Sequence, residues 1–338
     1  MTPDRQIPMF SYDEGDFNFT VKPYDETESS LDRILRRTWQ RAEEAKLFRY
    51  TLNIRSCKTL RGKYRFLAQL NPDRALHRRK PQSITSMLQP FSPMGFNFTK
   101  LTPQETLFDV GNGDGNDVVA INASPLEQGH SLLLTERFKC LPQVVTEHSL
   151  RKAIELCLLS GSRYLRFAFN SLCAHASVNH LHWHLYCLKQ EMPLEYIDTR
   201  SYVSGVRLLV DYPAKGFCLK LSSFQDIGDL VARAFLVANY LQACQVAHNV
   251  YITRARSRAS SELYDDVRIY IWARKSSTGV KDTTAFIPAV CELFGHLSIR
   301  DEEIYDKLTE NDVIEDLNDI TEEYFSLLRD ELKDILEK

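Results

Sequence analysis

Three histidines alternate along the run "NHLHWHLYCL": His180, His182 and His184, separated by Leu181 and Trp183. The chain has only nine histidines, so three of them within five residues calls for a physical reason. In an extended strand, residues i, i+2 and i+4 project from one face at intervals of about 6.6–6.8 Å. The spacing therefore predicts a strand with an imidazole front and a back of Leu181, Trp183, Leu185 and Cys187. Three chemistries compete for such a front. The histidines can be surface residues of a half-buried strand. Two of them can reach one zinc ion, although no carboxylate or second histidine pair with ligand spacing lies nearby. Or a neutral imidazole can attack phosphorus and carry the transferred group as a phosphoramidate, with its neighbours on the same face holding the ring.

Positioning such a strand takes a sheet and helices to back it. "SSLDRILRRTWQRAEEAKLFRY" puts Leu31, Ile34, Leu35, Thr38 and Ala42 on one helical stripe, with Ser29 as N-cap and Asp32 three residues on. Between 62 and 137 the pattern shifts to period two: "KYRFLAQLN", "FNFTKL", "ETLFDV", "DVVAINA" and "HSLLLTE" read as strands. "GNGDGND" (111–117) lacks the Gly-Lys-Ser/Thr ending of a phosphate loop and opens no helix, so it reads as an acidic hairpin loop. "EHSLRKAIELCLLS" (147–160) is helical, with Gly161 as its stop, and "RYLRFAFNS" is the next strand. Strands at 205–211 and 216–221, a helix over 227–247 and strands at 248–254 and 266–273 repeat this order. The fold class is α+β: an extended arm over 1–28, two units of antiparallel sheet with a helix laid across each (29–200 and 201–300), and an acidic helical tail over 301–338.

Bulk composition narrows the function. With 338 residues, 43% hydrophobic and 26% charged, the chain is ordinary globular material with room for about two cores. A net charge of −3 gives no general attraction to nucleic acid or to an anionic membrane surface. The first twenty residues carry Asp and Glu without an apolar core, which predicts no secretory signal, and no apolar run reaches 18 residues. The eight cysteines are scattered with no C-x-x-C pair, a pattern of reduced thiols in a cytoplasmic protein.

The run "HLHWHLY" resembles the histidine-triad motif of a superfamily of nucleotidyl hydrolases and transferases, and "INASPLEQGHSLLLTE" (121–136) is similar to the segment preceding that motif. More narrowly, eight segments occur in the order found in the GDP-D-glucose phosphorylase family, animal relatives of the plant GDP-L-galactose phosphorylases. They are "LFRY", "FLAQLN", "RRKPQSI", "FNFTKL", "FNSLCAHASVNHLHWHLY", "AHNVYITR", "WARKSSTGVKD" and "AFIPAVCELFGHL", spanning about 47–300.

The resemblance implies tandem histidine-triad-like units, the first catalytic and the second without a triad. It also implies phosphorolysis of GDP-D-glucose to GDP and D-glucose 1-phosphate, with GDP-hexose and inorganic phosphate as partners and no cofactor or metal. His182 takes the nucleophile's place and would carry GMP; His180 would orient its ring by a hydrogen bond, and His184 would sit by the phosphate oxygens. Plant relatives resemble this motif with Gln at the third position, whereas the superfamily's hydrolases carry His, so a hydrolase using water is the alternative. A non-enzymatic guanine-nucleotide-binding or exchange protein is another. Asn170, Ser171 and Ser177 fall in the loop that bonds phosphate in the superfamily, and as bare residues they are equally turn formers. Arg78 and Arg79 in "HRRKPQ" and Lys275 in "WARKSSTGVKD", with Arg274 and Lys281 beside it, are candidate anion contacts. His130 reads as a buried histidine bracing the sheet. Glu292 and His296, four apart, read as a pair on one helical face.

Overall fold

A computed structural model describes residues 7–24, 28–77, 79–279 and 288–337. The strands are β1 (Ser56–Thr59), β2 (Leu67–Leu70), β3 (Thr106–Asp109), β4 (Val118–Ile121), β5 (Ser131–Leu134), β6 (Leu165–Asn170), β7 (Trp183–Cys187), β8 (Arg200–Ser201), β9 (Val206–Leu209), β10 (Gly216–Lys220), β11 (His248–Ala255), β12 (Asp266–Ala273) and β13 (His296–Ile299). The helices are α1 (Ser30–Glu44), α2 (Pro72–His77), α3 (Glu147–Leu159), α4 (Ile227–Ala243), α5 (Val290–Leu293), α6 (Glu302–Lys307) and α7 (Glu310–Leu336).

Ten strands form one sheet in the order β3-β4-β5-β7-β6-β11-β12-β10-β9-β8. The order is a palindrome of connectivity. Each half runs through a three-strand meander, crosses by a helix (α3 or α4), then adds a hairpin whose last strand slots in beside the meander. The halves join through the antiparallel pair β6–β11, with Asn170 opposite Asn249. The small sheet β1-β2-β13 draws strands from both halves, and its β13–β2 pair is parallel.

Alternation assigns the two faces. Phe167, Phe169, Trp183, Leu185, Val250, Ile252, Ile269, Ile271 and Phe217 pack against the apolar stripes of α1, α3 and α4, including Leu35, Ile154, Leu158, Leu230 and Leu241. The opposite face carries Ala168, Tyr186, Tyr251, Tyr270 and Trp272, packed under the small sheet and α7. With both faces buried, register is strongly specified, because a one-residue slip would exchange them. α1 begins as its sequence predicts, with Ser29 and Asp32 in a reciprocal capping box. The segment 111–117 is indeed the β3–β4 hairpin loop, and its amides are already spent: Asp109 accepts from Gly111 at 2.7 Å, Gly113 at 3.0 Å and Gly115 at 2.8 Å. Glycine is needed at 113 and 115, where φ is +87° and +76°.

Four local expectations are corrected. "FNFTKL" is not a strand: Asn97 caps a 3-10 turn over Phe98–Lys100 by accepting from the Thr99 amide. Gly161 does not stop α3 in a left-handed conformation; Ser160 leaves the helix in extended geometry, and the Gly161 N–H goes to Asp32. Only His184 of the three histidines lies on a strand, since the ladder with β5 ends at Trp183. Glu292 and His296 do not share a helical face, because Gly295 at φ +100° ends α5 between them and His296 opens β13, where its Nε2 meets Gln69 Oε1 at 2.6 Å.

Candidate active site

His182 lies on the extended lead into β7, past the reach of β5, and Gln143 does the work of a missing neighbour strand. Gln143 Oε1 accepts the His182 N–H at 2.9 Å, while its Nε2 donates to the His182 carbonyl at 3.0 Å and the Asn170 carbonyl at 2.9 Å. The His182 backbone is therefore fixed by a side chain. Its ring is fixed by its own chain: Nδ1 lies 2.7 Å from the His180 carbonyl, which can only accept, so Nδ1 carries the proton. Nε2 is left with its lone pair and makes no hydrogen bond among the described residues. Burial, with the residue 2% exposed, pulls the imidazole down to about 4, so it is neutral at pH 7.

His180 makes that hydrogen bond with its backbone carbonyl and not with its ring. Its Nδ1 accepts the Phe98 N–H at 3.0 Å, which leaves Nε2 to donate to the Arg137 carbonyl at 3.0 Å. Both nitrogens are consumed, burial lowers the ring to about 4, and its role is to hold Phe98 and the 137 turn around the lead-in. Phe98 in turn packs on both rings, at centroid distances of 5.5 Å from His180 and 5.1 Å from His182.

His184 stands on β7 opposite Leu132 and Ala168, half-buried, its ring 5.3 Å from that of His182. Its Nδ1 is 3.1 Å from His130 Nε2. His130 accepts the Leu126 N–H at Nδ1 (2.9 Å), so a neutral His130 carries its proton on Nε2, which faces His184 Nδ1 at 3.1 Å and Asn122 Nδ2 at 3.0 Å. That places the proton of a neutral His184 on its Nε2. Burial drives His130 well below its ordinary range, which keeps it neutral. The buried sheet histidine thus selects the tautomer of a triad member.

The loop after β6 divides its candidates. Asn170 Oδ1 accepts from Asn249 Nδ2 at 2.8 Å and from the Val290 N–H at 3.0 Å, so its amide cannot flip and Nδ2 is turned out, with no acceptor among the described residues. Ser171 does not offer its hydroxyl: Oγ donates to the Leu172 carbonyl and accepts the His248 N–H, both at 2.9 Å, so it braces a turn. Ser177 is half-buried and its hydroxyl makes no hydrogen bond among the described residues. Arg79 lies over the Phe96 ring, 3.1 Å from its centroid, and Phe96 stands edge-on to Phe98. Burial, with Arg49 near it, draws that guanidinium down to about 10. Arg78 and Lys281 lie outside the described residues. Lys275 turns away, its amine 3.5 Å from Asp319 on α7 and its amide bonded to the Ile320 carbonyl; the buried cation of that segment is Arg274, 2% exposed.

Gln143, Phe98 and Asn249 were not singled out from the sequence. Gln143 gives a faint signal, a lone amide between Leu141-Pro142 and Val144-Val145, but its partners are backbone atoms that no spacing reveals. Chemically, the arrangement offers one neutral ring nitrogen with its lone pair unengaged among the described residues, a second imidazole of set tautomer beside it, and an outward amide one strand away.

Comparison with known proteins places the chain in one family. Residues 30–186 match the GDPGP1-like N-terminal domain and residues 189–338 the GDPGP1-like C-terminal domain. GDP-D-glucose phosphorylase 1 of Homo sapiens is 40% identical over 297 residues, covering 84% of this chain and 77% of that protein. The Danio rerio protein of the same name is 37% identical, covering 94% and 93%. GDP-L-galactose phosphorylase 1 of Arabidopsis thaliana is 32% identical, covering 83% and 68%. Among solved structures, yeast Ap4A phosphorylase Apa2 superposes with a TM-score of 0.63 over 87% of this chain and 98% of that one, at 16% identity, a likeness of fold.

Proposed function

The chain belongs to the GDPGP1-like family, and from that membership we propose that it is a GDP-D-glucose phosphorylase working through a guanylylated His182. The observation that carries the mechanism is the His182 ring: neutral, its Nδ1–H bound to the His180 carbonyl, its Nε2 lone pair unengaged. In the first half-reaction Nε2 bonds to the α-phosphorus, the α–β bridging bond breaks, and the electron pair leaves on D-glucose 1-phosphate. The ring keeps its Nδ1 proton throughout, and the His180 carbonyl faces the positive charge that develops. In the second, an oxygen of inorganic phosphate bonds to the same phosphorus, the Nε2–P bond breaks, and the pair returns to His182 as GDP forms. The leaving group already ends in phosphate, so stabilising charge matters more than protonating it. His184, its tautomer set by His130, supplies an Nε2 proton to the phosphate oxygens, and Asn170 Nδ2 and Arg79 add donors.

We take the two halves as duplicated units, the first catalytic and the second, without H-x-H-x-H, a support. No helix among the described residues is long and apolar enough to cross a membrane. No disulfide links any of the described cysteines, and Cys57 and Cys244 are exposed, which suits a reducing cytoplasm and which fractionation of cells would test.

Turnover of GDP-glucose should require phosphate and give GDP and glucose 1-phosphate, and His182→Ala should abolish it. Release of GMP without phosphate would make water the acceptor, and an active His182→Ala protein would end the covalent reading.

A further inference from the structure

Arg274 stands just beyond β12 as a buried cation that the reaction so far leaves unused. Its Nε donates to the Lys275 carbonyl at 3.3 Å, and its Nη1 to Asn249 Oδ1 at 3.4 Å and to the Pro288 carbonyl. Nη2 makes no hydrogen bond, and no carboxylate lies within ion-pair distance among the described residues, although the field of Glu292 reaches it. Burial lowers its affinity for a proton, to about 10. A buried charge whose partners are all neutral carbonyl and amide oxygens is costly unless an anion arrives to meet it.

The neighbouring residues carry this cation toward the nucleophile. Asn249 takes Arg274 on Oδ1 and passes Nδ2 to Asn170 Oδ1 at 2.8 Å. Asn170 stands beside His182, their carbonyls bridged by Gln143. Asn170 pairs with Asn249, and the β6–β7 register, carried on past Ala168–His184, sets His182 opposite Asn170, so the three form a row across β7's lead-in, β6 and β11. At strand spacing this row puts Asn249 about 10 Å from His182, within reach of a diphosphate laid along it.

We propose that Arg274, seated on Asn249, together with the outward Nδ2 of Asn170, is the anion subsite for the phosphate exchanged in both half-reactions. The inference rests on the phosphorylase reading and adds the subsite that makes phosphate the acceptor. His182 attacks from one side of the α-phosphorus, so the departing hexose 1-phosphate and the incoming inorganic phosphate both occupy the opposite side. One cation then serves both: it holds the phosphate carrying the electron pair away and later the phosphate whose oxygen attacks. Water gains nothing from it.

The test uses the full chain with Arg274→Gln and Arg274→Lys, each checked by thermal melting. Arg274→Gln should raise KM for inorganic phosphate by at least about tenfold, as expected for losing hydrogen bonds from a charged group, and slow guanylylation by GDP-glucose; Arg274→Lys should recover part of both. Without nucleotide, inorganic phosphate should raise the wild-type melting temperature and leave that of Arg274→Gln unmoved. If Arg274→Gln does not fold, Asn249→Asp puts a carboxylate on the same guanidinium and should raise KM for phosphate likewise. A phosphate KM within about twofold of wild type in the folded variant overturns the inference while the phosphorylase reading stands. Absence of guanylylated His182 in the wild-type protein overturns the reading beneath it instead.

Discussion

Gln143→Ala removes the one side chain that anchors the nucleophile's backbone. Gln143 is 1% exposed and makes three hydrogen bonds, at 2.9, 3.0 and 2.9 Å, to main-chain atoms of residues 182 and 170. At about 1 kcal/mol net for each, the substitution should cost about 3 kcal/mol, a large part of the 5–15 kcal/mol that holds a typical domain folded. The kinetic effect should be larger than that loss alone implies. The His182 ring is held by the His180 carbonyl at 2.7 Å, and both residues lie on a lead-in that Gln143 pins in the absence of a strand partner. A displacement of about 1 Å at a reacting atom costs on the order of 100-fold, so kcat should fall by about that factor in the fraction that remains folded. Gln143→Glu separates positioning from mere folding. Its carboxylate would turn one oxygen toward two carbonyls, and only the protonated acid can donate to one of them. Its activity relative to wild type should therefore rise as pH falls, which a purely structural defect would not do. Urea denaturation gives the stability and phosphate-dependent GDP release gives kcat. A Gln143→Ala protein within about 0.5 kcal/mol of wild type and within about twofold in kcat would refute the reasoning.

Acid should unfold the protein early. His180, His182 and His248 are lowered by burial to about 4 and His296 to about 3, against 6.5 when exposed, so the unfolded chain binds more protons throughout that interval. Stability then falls as pH drops below 6.5: between pH 7.5 and 5.5 each such imidazole costs on the order of 1 kcal/mol, and the four together several. Denaturant midpoints across that range measure it, and a flat profile would contradict it. His148 acts with the opposite sign, since its bond to Asp117 raises it, so its contribution fades as pH climbs through its raised value. Glu195→Gln should destabilise by about 3–5 kcal/mol, because Arg166 and Glu195 pair with both side chains fully buried and the substitution strands the guanidinium's charge. A thermal midpoint unchanged within a degree would show that pair to be dispensable.

What could be read from the residues was whatever periodicity carries. The stripes of α1, α3 and α4, the β3–β4 hairpin and the cluster of histidines follow from spacing alone. Alternation states which face a side chain takes while a strand lasts, but not where the ladder ends. β5 pairs with β7 only as far as Trp183, so His182 needed Gln143, a residue whose partners are backbone atoms. The same limit explains Ser171: a hydroxyl that can meet phosphate can as well close a turn, and only its neighbours' geometry decides. Glu292 and His296 had the spacing of a helical pair, yet one glycine at positive φ put them in different elements. In the "WARKSS" segment, adjacent cations diverged. Arg274 follows the inward face toward Asn249 and Lys275 follows the outward one toward Asp319.

The central claim is that His182 Nε2 becomes bonded to the α-phosphorus. Intact-mass and peptide mass spectrometry of the protein quenched after mixing with GDP-glucose, with inorganic phosphate removed, reads this directly. The account predicts one GMP per chain on the peptide containing residues 180–184, localised to His182, acid-labile, and discharged as GDP when phosphate is added. An unmodified peptide under conditions where the same sample releases GDP on adding phosphate would contradict it.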